Sequence, residues 1–330
     1  MKKIYGLFVP VYALAMAIAL YPTTPAQAAA LKTYTNVVSL GDSRAAGAGL
    51  PATSPSAPYD LACTRSSAAT VNPLAYVLTS TPYNYACSGA TTKNLWQPQT
   101  AINGSVVPSQ LSQVPVAVLN NSTTLITLQS GPNDVGWIAW LIKCIQSTCG
   151  STEDSFAIKG QIDTYKNDLR FGLATLGQLA NKSTVLVGGV YDPFVGSQQL
   201  ASAYGLTTAE YAWVKAAVSV MNTATSEAVT EFSSAYPVKY VAINLTNPYE
   251  LQWINSHPAP FHPTVYGQSI IAQSFLPPSA DSQPIIPSGI SSTSTNHPRR
   301  NRPLLFHDPR RKAQIHFTHL CTRINRATTG

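Results

Sequence analysis

The stretch Val37-Val38-Ser39-Leu40-Gly41-Asp42-Ser43 places a short apolar run directly before a glycine and a serine. An apolar strand that ends at a glycine turn is how a parallel sheet delivers a side chain to the carboxyl edge of its strands, where open α/β sheets keep their sites. Ser43 is therefore a candidate nucleophile. Asp42 and Ser43 are also good helix-capping residues, so the stretch alone is as typical of a capped helix as of a site.

Strand and helix patterns alternate from Ala29 to about Pro278. Apolar and β-branched runs predict further strands over 83–87, 123–128, 184–190 and 238–244. Apolar residues at helical spacing predict helices over 71–78, 156–180, 208–233 and 269–276. Because helices of this length separate the strands, we predict an α/β fold: a three-layer α/β/α sandwich around a central, mainly parallel sheet of about five strands, similar to flavodoxin.

The N-terminal residues have the composition of a secretory signal peptide. Two lysines precede an apolar stretch from about Leu7 to Leu20, and small residues at cleavage spacing follow Pro25. The apolar stretch is short for a bilayer span, which favours a signal peptide over a membrane anchor. We therefore predict a signal peptide over 1–28, a secreted folded domain over 29–278 and no stable membrane anchor.

The formal charge of +7 is concentrated at the C-terminal end of the chain. After Pro278 there are eight Lys and Arg against two Asp, a net of +6, whereas the preceding 278 residues carry thirteen basic and twelve acidic side chains. Residues 279–330 also lack an apolar period, which predicts a disordered basic tail. Nothing in the body resembles a phosphate-tracking surface, so we expect no nucleic-acid partner.

Four of the five cysteines lie in the body of the chain, and Cys321 lies alone in the tail. Four cysteines allow three pairings, and their order suggests disulfides Cys63–Cys87 and Cys144–Cys149, each closing a loop. A zinc site is the competing interpretation. It is weak because the sequence holds no Cys-x2-Cys pair in the body and no histidine near these cysteines, so we expect no metal.

Three further polar segments follow predicted strands. Gly89 comes after the second strand, Gly131-Pro132-Asn133-Asp134 after the third, and His262-Pro263 after the last. The carboxyl ends of parallel strands emerge at one edge of a sheet. We therefore expect the side chains of Ser43, Asn133 and His262 to converge near Gly89.

Together these segments resemble the sequence blocks of the SGNH, or GDSL-type, hydrolase family. The matching segments, in chain order, are Gly41-Asp42-Ser43, Gly89, Gly131-Pro132-Asn133-Asp134 and His262-Pro263. The resemblance spans about residues 37–276. The cysteines around the second block further resemble those of the secreted, disulfide-bearing esterases and lipases of that family. The resemblance implies a serine ester hydrolase, an esterase or lipase acting on a small-molecule or lipid ester.

The resemblance also implies a role for each residue. Ser43 attacks the ester carbonyl to form an acyl-serine intermediate, and His262 acts as the base, because a serine hydroxyl is a poor nucleophile until a base activates it. The backbone N–H groups of Ser43 and Gly89 and the Asn133 side-chain amide form the oxyanion hole. No cofactor is implied, and we expect a monomer.

Some of these residues have other interpretations. Asn133 and Asp134 are good helix-capping residues before Trp137, a role that the sequence favours for Asp134. His257 is also followed by proline. We prefer His262 because a threonine and a predicted helix follow it.

The position three residues before the histidine, where family members usually carry an aspartate, is Ala259. Asp281 and Asp308 lie in the tail and are poor replacements. Some members of the secreted branch orient the histidine with a main-chain carbonyl, which here implies that of Ala259 and a Ser43–His262 dyad of modest activity. Two alternatives remain: a carbohydrate acetyl esterase of the same fold, and a non-catalytic secreted binding protein that has lost its triad acid.

Overall fold

The computed structural model of the 330-residue chain describes residues 33–51, 58–252 and 260–276. The predicted signal peptide over 1–28 and the predicted tail over 279–330 lie outside the described residues, as do His257 and Ala259. Among the described residues, no helix combines the length and the apolar character that crossing a bilayer requires.

Five parallel strands form the main sheet. The strands within the described residues are β1 (Asn36–Gly41), β2 (Thr81–Asn84), β3 (Gln99–Thr100), β4 (Val106–Val107), β5 (Thr124–Gln129), β6 (Thr184–Gly188) and β7 (Val238–Val241). The main sheet has the order β2-β1-β5-β6-β7, and β3 pairs with β4 in a separate antiparallel hairpin. The predicted parallel sheet of about five strands is confirmed.

Helices cover both faces of this sheet. They are α1 (Ser43–Ala46), α2 (Val71–Leu78), α3 (Gln110–Gln113), α4 (Val116–Leu119), α5 (Trp137–Gln146), α6 (Thr152–Leu179), α7 (Gln198–Ala203), α8 (Thr208–Phe232) and α9 (Val265–Ser274), with 3-10 turns at Thr92–Leu95 and Pro248–Glu250. Alternate residues of β1 face opposite layers: Val38 packs in the cluster that contains α6 and α8 residues, and Val37 in the one that contains α2 and α9 residues. This alternation produces the predicted three layers.

Several element boundaries differ from the prediction, those of α6 and β2 among them. Helix α6 begins four residues earlier than expected because the Ser151 hydroxyl accepts from the Asp154 N–H at 3.1 Å and caps the helix. The second strand was predicted over 83–87, but β2 ends at Asn84. Beyond it, the N–H groups of Tyr85 and Cys87 still donate to carbonyls of β1, but the Tyr85 and Ala86 carbonyls accept from the Arg65 guanidinium (3.1 and 2.9 Å).

Both predicted disulfides are confirmed. Cys63 bonds to Cys87, and Cys144 at the end of α5 bonds to Cys149 before α6. The zinc interpretation of these four cysteines is therefore wrong, because each thiol is consumed in a disulfide. The first disulfide ends two residues before Gly89 and anchors that turn to the segment at Cys63.

Candidate active site

The turn that carries Ser43 begins where β1 ends. Gly41 has φ +126°, and a Cβ at this position would lie 2.0 Å from the Gln129 carbonyl oxygen, so the turn admits only glycine. The Asp42 carboxylate accepts from the Arg44 N–H at 2.9 Å and caps α1. Ser43 is the first residue of that helix and is half-buried. The capping interpretation thus holds for Asp42, while Ser43 remains accessible at the carboxyl edge.

The His262 ring contacts the Ser43 hydroxyl. Nε2 of His262 lies 2.7 Å from Oγ of Ser43, and Nδ1 lies 3.0 Å from the Pro260 carbonyl oxygen. A carbonyl oxygen only accepts hydrogen bonds, so Nδ1 carries the hydrogen of the neutral ring and Nε2 carries the lone pair. In this tautomer the ring accepts a hydrogen bond from the Ser43 hydroxyl, which is the arrangement that a general base needs.

The acceptor at Nδ1 belongs to Pro260. Ala259, whose carbonyl we expected to orient the ring, lies outside the described residues. Like a carbonyl at that position, the Pro260 carbonyl fixes the tautomer. As a neutral acceptor it stabilises an imidazolium less than a carboxylate does.

The histidine turn is held by Gln252. The Gln252 N–H donates to the His262 carbonyl at 2.8 Å, and the Phe261 N–H donates to the Gln252 carbonyl at 2.6 Å. The Gln252 side-chain amide donates to the Pro263 carbonyl at 2.8 Å. Two of these three bonds use main-chain atoms of Gln252, which carry no sequence signal, so the sequence does not reveal this role.

Gly89 lies at an exposed turn that is bonded to the end of β1. The turn is closed by a hydrogen bond from the Ala90 N–H to the Cys87 carbonyl (3.1 Å), and the Cys87 N–H donates to the Gly41 carbonyl at 3.0 Å. Gly89 has φ +79°, and the space where a Cβ would stand is open. The backbone hydrogen bonds of the described residues use the N–H of neither Gly89 nor Ser43. Both groups are therefore available as donors.

Asn133 is tied to the same turn. Its side-chain Nδ2 donates to the Ala90 carbonyl at 2.8 Å. A primary amide has two N–H donors, so this bond fixes the side chain and leaves one hydrogen for a further acceptor. The structure thus brings Asn133 to the Gly89 turn, while Ser43 and His262 contact each other directly.

Asp134 plays a different part from the one that the sequence favoured. Helix α5 starts after Gly136 with no side-chain cap, so the capping interpretation of Asn133 and Asp134 is wrong. The Asp134 carboxylate instead accepts from the Thr92 N–H (2.9 and 3.1 Å) and from the Thr92 hydroxyl (3.1 Å). Burial raises the pKa of Asp134 to about 7, although the Thr92 hydrogen bonds act in the opposite direction.

The raised pKa predicts a pH-dependent stability. Asp134 titrates near 3.8 when unperturbed and near 7 in the folded chain, so the folded state binds this proton more tightly. Its contribution to stability is fully present below about pH 4 and is lost as the pH rises through about 7. Asp134→Asn stays neutral and removes this dependence, so the Tm of the wild type relative to the variant should fall from pH 4 to pH 8.

Thermal unfolding of both proteins across this pH range measures the difference. Asp163→Asn, which alters an exposed carboxylate on α6, is the control and should track the wild type. A Tm difference between the wild type and Asp134→Asn that is constant with pH contradicts the prediction.

Comparisons with known proteins identify the family of this chain and two solved structures with a similar fold. A family model described as GDSL-like lipase/acylhydrolase matches residues 37–275. The fold is similar to that of an extracellular lipase from Streptomyces rimosus, at 22% identity and a TM-score of 0.52, covering 72% of this chain and 96% of that one. It is also similar to phospholipase A1 from Streptomyces albidoflavus, at 21% identity and a TM-score of 0.51 with the same coverage. A comparison with curated proteins found no match.

Proposed function

Because the chain belongs to the GDSL-like lipase/acylhydrolase family, we propose that it is a secreted carboxylic-ester hydrolase with Ser43 as nucleophile and His262 as general base. The observation that carries this proposal is the 2.7 Å contact between Ser43 Oγ and His262 Nε2, with Nδ1 held by a main-chain carbonyl. The contact is within the distance at which a base removes a hydroxyl proton. The substrate class is a small-molecule or lipid ester.

Acylation is the first half of the proposed reaction. His262 takes the Ser43 hydroxyl proton while Oγ bonds to the ester carbonyl carbon. The carbonyl oxygen becomes an oxyanion and accepts from the N–H groups of Ser43 and Gly89 and from the Asn133 amide. When the intermediate collapses, the bond to the alkoxy oxygen breaks, and the alcohol leaves with the proton from His262. An acyl-Ser43 ester remains.

Deacylation repeats these steps with water as the nucleophile. His262 takes a proton from the water as its oxygen bonds to the acyl carbon, and the same donors hold the second oxyanion. Collapse breaks the bond to Ser43 Oγ, which recovers its proton from His262, and the carboxylic acid leaves. The free enzyme is restored without a cofactor in this scheme.

The proposed location is extracellular. Structural disulfides persist in oxidising compartments, and this chain contains Cys63–Cys87 and Cys144–Cys149. The lipase from Streptomyces rimosus, which has the same fold, is described as extracellular. Export through a signal peptide over 1–28 is consistent with both.

A fluorophosphonate probe tests the nucleophile. The wild type should be labelled at Ser43, because the hydroxyl activated by His262 displaces fluoride from phosphorus, and Ser43→Ala should not be labelled. Peptide mapping by mass spectrometry locates the adduct. Ser112→Ala, an exposed serine on α3, should label like the wild type. A folded wild type without label at Ser43 contradicts the proposal and favours a non-catalytic binding protein.

A further inference from the structure

The buried side chain of Arg44 directly follows the proposed nucleophile, Ser43, in the sequence. The Arg44 guanidinium holds both oxygens of the Asp42 carboxylate, with Nη2 at 2.9 Å from Oδ2 and Nε at 3.1 Å from Oδ1. The same guanidinium donates to the carbonyls of Ser130 (3.1 Å) and Gly189 (3.3 Å), which follow β5 and β6. One side chain therefore connects the turn that carries Ser43 to the ends of the next two strands.

The charge of Arg44 is permanent. Burial opposes it, but the adjacent Asp42 carboxylate outweighs burial, and the pKa of the guanidinium is raised above its ordinary value. Because a fixed cation that forks to both carboxylate oxygens also restricts their orientation, Arg44 holds the cap of α1 in a single geometry.

Tyr191 connects this arginine to the histidine turn. Its ring centroid lies 6.0 Å from Cζ of Arg44, within the range of a cation–π contact. Its hydroxyl donates to the Phe261 carbonyl at 2.9 Å, and Phe261 directly precedes His262. Burial raises the pKa of the Tyr191 hydroxyl well above its ordinary value, so the hydroxyl stays a donor throughout the neutral range.

Other contacts fix the two partners of this hydrogen bond, Tyr191 and Phe261. Val190, next to Tyr191, exchanges two hydrogen bonds with the Asn222 side-chain amide of α8, at 2.7 and 2.8 Å. Phe261 has φ +61°, which is uncommon for a bulky residue and persists only where the surroundings hold it. Its ring packs edge-on against Phe194 with centroids 5.6 Å apart, and its carbonyl accepts the Tyr191 hydroxyl.

We propose that Tyr191, together with Arg44, is a positioning residue that sets the alignment of His262 against Ser43; this inference rests on the proposed function. Tyr191 contacts the nucleophile turn through Arg44 and the histidine turn through Phe261. In a triad, a carboxylate both orients the histidine and stabilises its protonated form. Here the acceptor at Nδ1 belongs to Pro260 in the same turn, so the alignment of that turn with Ser43 depends on contacts such as that of Tyr191.

Tyr191→Phe tests the connection by deleting one hydroxyl and keeping the ring over Arg44. With p-nitrophenyl acetate as substrate, kcat should fall about 10-fold with KM changed less than about twofold, because a shifted base affects the chemical step rather than ground-state binding. The rate of fluorophosphonate labelling of Ser43 should fall by the same factor. The ratio of wild-type to variant kcat should be constant from pH 6 to pH 9, since the hydroxyl does not ionise in this range.

Tyr211→Phe is the matched control. Tyr211 is also a buried tyrosine, and its hydroxyl donates at 2.6 Å to the Asp192 carboxylate instead of to the histidine turn. Loss of the Tyr211 hydroxyl should lower Tm without changing kcat by more than about twofold. Equal losses of kcat in Tyr191→Phe and Tyr211→Phe, or none in Tyr191→Phe, overturn the inference.

Arg44→Lys tests the other end and serves where Tyr191→Phe does not fold. A lysine keeps the charge but cannot fork to both Asp42 oxygens, so labelling of Ser43 should slow at least about 10-fold in a folded variant. Full activity of folded Arg44→Lys overturns the inference.

A wild type that neither hydrolyses the ester nor takes the label overturns the proposed function instead, and the two failures are thereby distinguished.

Discussion

Replacing His262 by alanine should lower kcat for ester hydrolysis by about 10⁴–10⁶-fold, the range seen when the base of a serine hydrolase is removed. The reason is the 2.7 Å contact with Ser43, whose hydroxyl is a weak nucleophile unless a base removes its proton as the bond to carbon forms. KM should change little, because the ring acts on the proton rather than on the ground-state ester.

Steady-state kinetics of the folded variant give the loss, and the pH dependence identifies its cause. Without His262, hydroxide is the remaining base, so the residual rate should rise with pH between about 8 and 10. Fluorophosphonate labelling should slow in parallel. Wild-type turnover by His262→Ala contradicts the assignment, even if Ser43 proves to be the nucleophile.

Replacing Asn133 by alanine should lower kcat by about 10²–10³-fold, the usual effect of deleting one oxyanion donor. The side chain is held at the Gly89 turn by its 2.8 Å bond to the Ala90 carbonyl, which leaves its second amide hydrogen to donate to the charge that develops on the substrate oxygen. That charge appears only in the transition state, so KM should stay nearly constant.

Asn94→Ala provides the matched control for this loss. Asn94 also donates to a carbonyl, that of Pro98 at 3.1 Å, and lies five residues after Gly89 in the 3-10 turn Thr92–Leu95. Its truncation should change kcat by less than about threefold, since its amide is committed to local structure. If Asn133→Ala has as small an effect as Asn94→Ala, Asn133 is not an oxyanion donor.

The sequence predicts the main elements of the fold where local composition and tertiary structure agree. All six residues of β5 are buried, and their β-branched, apolar character alone predicts a strand. The hairpin of β3 and β4 has only two residues in each strand and no such signal. Helix α9 begins at Val265, earlier than predicted, because the Thr264 hydroxyl accepts from the Gly267 N–H at 3.1 Å.

The candidate site is predictable in its side chains and not in its main-chain contacts. Ser43 and His262 follow strands of a parallel sheet, so the topology alone predicts that they converge, and their contact is present. The Pro260 carbonyl has no sequence signature, because every residue carries one. The Arg44 guanidinium donates to the carbonyl of Gly189, 145 positions away in the sequence, and no local sequence pattern predicts such a contact.

The order of strands in the main sheet has a consequence for how such a protein diversifies. β1 lies between β2 and β5, so the strands on its two sides lead into the Gly89 turn and the Asn133 turn. These two turns are bonded to each other, from the Asn133 amide to the Ala90 carbonyl, so an insertion in either one shifts both. Loops outside the two turns are free of this constraint, and they are the places where sequence can change while the centre of the sheet is inherited unchanged.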